Sequence, residues 1–81
     1  MTEADFNHVI REILDAETSM PRDWATVERL SLNLTRDQMA LLAQRPSSVT
    51  HFVDDFDLRR KDDAYARQQR EAVRAYLAGV I

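Results

Sequence analysis

The chain has 81 residues, a formal charge of -3, one Gly, two Pro and no Cys. That is the length of one small domain, residues 1–81, with no room for two independent cores. These counts exclude disulfides, thiolate metal sites, cysteine nucleophiles and glycine-rich phosphate loops, and they disfavour hairpin-rich all-β folds, whose turns need Gly.

Apolar residues recur at helical spacing along most of the chain. Phe6, Val9, Ile10, Ile13 and Leu14 predict a first helix over 3–17, capped by Thr2 or Asp5. Thr18-Ser19-Met20-Pro21 ends it. Pro21, suited to a first turn, opens a second helix over 21–31, with Trp24, Val27 and Leu30 or Ser31 on its apolar edge. Leu30-Ser31-Leu32-Asn33-Leu34 alternates like a strand but has no partner strand, so it reads as a helix end and an extended connector. Thr35 and Gln38 stand at capping-box spacing and start a third helix over 36–45. Its stripe is Met39, Leu42 and Ala43, and Pro46 stops it.

Ser47 or Ser48 is expected to cap a fourth helix over 48–57, which buries Val49, Phe52, Val53 and Phe56. The register then changes. Leu58, Tyr65, Ala72 and Tyr76 form another stripe, joined by Val73, Leu77 and Val80. Tyr65 and Tyr76 point nearly opposite to Val49, which predicts a break within 57–63. Asp62 or Asp63 would cap a fifth helix over 62–78, and Gly79 would close it. The fold class is therefore all-α, a compact bundle of four to five short helices.

No stretch approaches the roughly 20 apolar residues that span a bilayer. The start, Met1-Thr2-Glu3-Ala4-Asp5, lacks the basic opening of a signal peptide, so no membrane and a cytoplasmic setting are expected. Charge is unevenly divided. Residues 1–40 carry eight acids and four bases, and residues 41–81 carry six acids and seven bases.

Few residues are placed for chemistry. His8 with Asp5 and Glu12, and His51 with Asp54 and Asp55, have spacings that suit a divalent cation. Both groups face away from their apolar stripes and read as solvated faces, so no metal and no other cofactor is expected. Ser19, Ser47 and Ser48 sit where caps belong, and no serine has a nucleophile elbow around it. The acid pairs Asp54/Asp55 and Asp62/Asp63 would need burial to act as acid and base. The expectation is a protein without catalytic activity.

The stretch from Thr35 to Val53 holds two helices and a short turn. In Gln38-Met39-Ala40, followed by a Ser-rich second helix, it resembles helix–turn–helix repressors, which implies a DNA-binding region over 35–56. Four positions depart from that pattern. Gln44 stands for the turn glycine, Arg45 for the small apolar residue after it, and Val49 and Phe52 fall one position early. The second helix also carries Asp54, Asp55 and Asp57 with no Arg before Arg59, a charge that phosphates repel.

Arg60, Arg67, Arg70 and Arg74 line up at i, i+7, i+10 and i+14 as a basic ridge, beside the acids Asp54, Asp55 and Asp57. Pairs at i, i+4, namely Asp63–Arg67 and Arg67–Glu71, would partly neutralise it. Adjacent acid and base blocks suit a complementary protein surface. Another protein is the expected partner, with the chain acting as adaptor, complex subunit, inhibitor or regulator. Asp54, Asp55, Asp57, Arg60, Arg67, Arg70 and Arg74 are the candidate binding residues. Nucleic acid, through the helix–turn–helix or the ridge, is the alternative partner, and a homodimer is an alternative state. The apolar Val80-Ile81 would dock on the core or on a partner.

Overall fold

A computed structural model describes residues 1–79, all-α, as six helices. These are α1 (Glu3–Thr18), α2 (Trp24–Asp37), α3 (Met39–Ala43), α4 (Ser47–Asp54), α5 (Phe56–Lys61) and α6 (Asp63–Leu77). The reading of Val80 and Ile81 lies outside the described residues. Helix α1 packs on α2, α2 also meets α3, α4 and α5, and α4 and α5 both lie against α6. One apolar core joins them: Phe6, Ile10, Ile13 and Leu14 of α1, Val27 and Leu34 of α2, Leu42 of α3, Val49, Phe52 and Val53 of α4, and Val73 of α6. None of the helices is long and apolar enough to cross a membrane.

The caps explain the boundaries. Thr2 and Asp5 act together rather than as alternatives: Asp5 N donates to Thr2 Oγ1 at 3.1 Å and Thr2 N donates to Asp5 Oδ2 at 3.0 Å. This reciprocal box satisfies two amides that have no helical partner. The second helix starts at Trp24 rather than at Pro21, because Asp23 caps it. Its side chain accepts from Thr26 N at 3.1 Å and from the Thr26 hydroxyl at 2.6 Å. Both caps hold their aspartate carboxyls below the ordinary range, since hydrogen bonds favour the charged form.

The connector expected over Leu30–Leu34 is helical. Helical register buries Val27, Ser31 and Leu34, at i, i+4 and i+7, while Leu32 is left exposed. Alternation of apolar residues was compatible with either conformation, and packing on α1 selects the helix. Thr35 consequently sits inside α2, where its hydroxyl donates to Ser31 O at 3.1 Å, and it makes no capping box with Gln38. The third helix shrinks to five residues, and Met39 and Ala43 of its expected stripe are exposed.

Pro46 takes the N-cap position of α4 with no side-chain cap, so Ser47 and Ser48 are its first helical residues rather than caps. Pro46 O accepts from Val49 N at 2.9 Å. The region expected as one helix over 48–57 breaks at Asp55, adding the short α5. A second break falls at Asp62, whose side chain accepts from Tyr65 N at 3.0 Å and caps α6. Gly79, at φ +77°, adopts the left-handed conformation that favours Gly just after the last helix.

Candidate functional site

The buried face of α6 is not the one its apolar residues announce. Ala66, Gln69, Arg70 and Val73 are buried, while Tyr65, Ala72, Tyr76 and Leu77 are only half-buried and Leu58 is exposed. At about 100° per residue, Val73 stands about 80° round from Tyr65. Arg70, at about 140°, falls inside the edge of that face. Arg74 and Arg67, at about 180° and 200°, fall outside it.

Arg70 therefore leaves the expected ridge and enters a buried ionic cluster. Glu17, the last residue of the α1 stripe, is fully buried and accepts from two guanidiniums. Arg59 Nε donates to both carboxylate oxygens at 3.0 Å, and Nη2 makes an ion contact with Oε1 at 2.9 Å. Arg70 Nη1 donates to Oε2 at 2.7 Å. Arg59 Nη1 reaches the Phe52 carbonyl and, at 2.8 Å, Gln69 Oε1. The Arg59 guanidinium also lies 4.0 Å from the centre of the Phe52 ring. Charges removed from water are tolerated when paired and hydrogen-bonded; here each charge is paired, while Arg59 Nη2 is held by its ion contact alone and makes no hydrogen bond.

This cluster continues to the surface. Gln69 Nε2 donates to Asp55 Oδ2 at 3.1 Å and to the Tyr65 oxygen at 2.9 Å. The Tyr65 hydroxyl donates to Asp55 Oδ2 at 2.7 Å, which holds its phenol above the ordinary range. Past these groups, α4 and α6 leave a groove of about 300 Å³ lined by Ser48, His51, Tyr65, Gln68, Gln69 and Ala72. A separate polar tie joins α1 and α6 to the connector before α4. Arg45 Nη1 sits 2.7 Å from Glu3 Oε1, and the Tyr76 hydroxyl donates to Asn7 Oδ1 at 2.6 Å.

The remaining candidates stay outside. Asp54, Asp57, Arg60, Arg67 and Arg74 are exposed, and among the described residues none of them makes an ion pair or side-chain hydrogen bond. The expected Asp63–Arg67 and Arg67–Glu71 pairs do not form. Asp55 is half-buried and engaged with Tyr65 and Gln69. The two metal-like triplets also come apart. His8 Nε2 meets Glu12 Oε1 at 2.9 Å while Asp5 is committed to Thr2, and His51 Nδ1 stands 3.9 Å from Asp55. No group of three His, Asp or Glu side chains placed to hold a metal occurs among the described residues.

Glu17, Arg59 and Gln69 were missed as site residues, although the register carries the signal. Glu17 is three residues from Leu14 and four from Ile13, and Arg59 is three from Phe56 and seven from Phe52. Charge masked the position of Glu17 and Arg59 on the apolar face, and the polar amide did the same for Gln69. No family model matches the chain, and neither the curated proteins nor the solved structures contain a match to it.

Proposed function

We propose that this chain works without catalysis by binding another protein through the charged surface of α4, α5 and α6. The observation that carries the reading is the unpaired state, among the described residues, of Asp54, Asp57, Arg60, Arg67 and Arg74 beside two arginines that are ion-paired with Glu17. Exposed charges of both signs, not spent on one another, supply orientation and on-rate to a complementary surface. The polar groups nearest to an acid–base set, Tyr65, Asp55 and Gln69, hydrogen-bond one another and hold helices together. An adaptor, a complex subunit, or an inhibitor or regulator of a larger assembly fits this surface, in the cytoplasm. A protein partner is favoured over nucleic acid because the exposed positions of α4, Ser47, His51 and Asp54, carry no fixed positive charge.

The test is paired capture. Wild-type chain and the reversals Asp54→Lys/Asp57→Lys and Arg67→Glu/Arg74→Glu are used as bait in host lysate, with helicity checked by circular dichroism. Each reversal is expected to lose a protein that the wild type retains. Identical capture by all three, with helicity intact, defeats the reading.

A further inference from the structure

The groove between α4 and α6, at about 300 Å³, lies at the small end of ligand cavities, which run to about 1,000 Å³. It has room for a side chain rather than for a large cofactor. One wall is apolar, made of the Tyr65 ring and the Ala72 methyl group. The residues lining the groove carry no fixed charge, the charged residues that helical register brings to its rim are acidic, and Arg45, three residues before Ser48, is paired with Glu3. Asp54 and Asp55 stand three and four residues from His51, and Glu71 stands three from Gln68. Arg67 is turned about 100° away from Gln68 around α6. The Arg59 guanidinium behind Gln69 is buried and spent on Glu17. Asp55 Oδ2 is taken by Tyr65 and Gln69, but Oδ1 accepts no hydrogen bond among the described residues, and the side chain is 22% exposed.

We infer that this groove receives an arginine side chain of a partner protein, its guanidinium stacked on the Tyr65 ring and donating to Asp55 Oδ1. The inference rests on the protein-binding reading above and narrows it to one chemistry. A guanidinium is planar, stacks on aromatic faces and donates in a fork, whereas an ammonium offers a compact, strongly hydrated charge. Its aliphatic stem would cover Ala72. Ring and carboxylate are already held in place. Tyr65 is tied to Asp55 and Gln69, and Gln69 to Arg59, which is anchored on Glu17. Little ordering is then left to oppose binding.

The experiment is a titration of the full chain, followed through its backbone amide resonances. The probes are Nα-acetyl-arginine methylamide, the lysine analogue, and the citrulline analogue, which keeps the shape without the charge. Arginine should give saturable shifts confined to the Ser48, His51, Asp55, Tyr65, Gln69 and Ala72 amides. Citrulline should bind at least about fivefold more weakly, and Gln68→Lys, at an exposed position on the lip, should weaken arginine by a similar factor. Lysine should bind more weakly than arginine. The inference is overturned by equal binding of arginine and citrulline, by an unchanged affinity in Gln68→Lys, by shifts centred on Asp62 and Asp63, or by no saturable shift. Lysine binding as tightly as arginine overturns the stacking geometry. Failure here with the charge-reversal capture intact removes the groove alone, and the opposite result removes the surface reading alone.

Discussion

Arg59 and Arg60 are adjacent in the chain and belong to different environments. Arg59 is 1% exposed and makes contacts with Glu17, Gln69 and Phe52, while Arg60 is in water with no partner among the described residues. Arg70 and Arg74, one helical turn apart on α6, repeat the contrast. The difference teaches that an arginine's role here depends on its register against the core and on whether a carboxylate waits there. The buried pair ties α1 to α5 and α6, and the exposed ones are free to meet something else.

The largest expected effect comes from removing the shared carboxylate. Glu17→Gln leaves two buried guanidiniums without a counter-charge and should cost about 3–5 kcal/mol in urea unfolding. That is a large share of the stability of a small domain. Replacing all three, as Glu17→Met, Arg59→Met and Arg70→Leu, should recover most of it, because well-packed apolar groups substitute for a buried ionic cluster. A cost under about 1 kcal/mol for Glu17→Gln would place these arginines in the same class as the exposed ones.

Arg70→Met should come next, at about 1.5–3 kcal/mol, the range of a hydrogen bond to a charged group. Ser31 offers a contrast within the core. Its hydroxyl is buried without a hydrogen-bond partner, so Ser31→Ala should raise stability by about 1 kcal/mol, with help from the higher helix propensity of Ala. The same urea transitions read both.

The groove wall has a pH signature. The hydrogen bond to Asp55 raises the Tyr65 phenol in the folded state, so the folded chain holds this proton more tightly than the unfolded one. Its contribution to stability is complete below the unfolded value near pH 10 and is lost as pH rises through the higher folded value. Ultraviolet titration should show Tyr65 ionising above the ordinary tyrosine range, and Asp55→Asn should bring it down. Coincident titration of wild type and variant would detach Tyr65 from the buried cluster. The smallest effect is expected at Arg67→Ala and Arg74→Ala, each within about 0.5 kcal/mol of wild type by urea unfolding. A larger loss would mean that the exposed set carries structure after all.

Much of the fold was legible because local physics writes it. The apolar stripe of α1, the caps at Thr2 and Asp62, and the stop at Gly79 follow from spacing and side-chain chemistry within one turn. The run from Leu30 to Leu34 was not legible, since its apolar residues fit either conformation until α1 packs against Val27 and Leu34. The start of the third helix failed for a related reason, as Thr35 bonds backward to Ser31 instead of capping forward. At the site, Asp54, Asp57, Arg60, Arg67 and Arg74 are exposed, as an outer charged face implies. Arg70 is not, because its position between Ala66 and Val73 outweighs its charge.

By itself, then, the sequence determined the helical class, most of the core and the caps of the first and last helices, all of which depend on neighbours a few positions apart. Only the tertiary structure decided which charges enter the interior. Burying a guanidinium is unfavourable until a carboxylate accompanies it, and for Arg59 that carboxylate is 42 residues away in the chain.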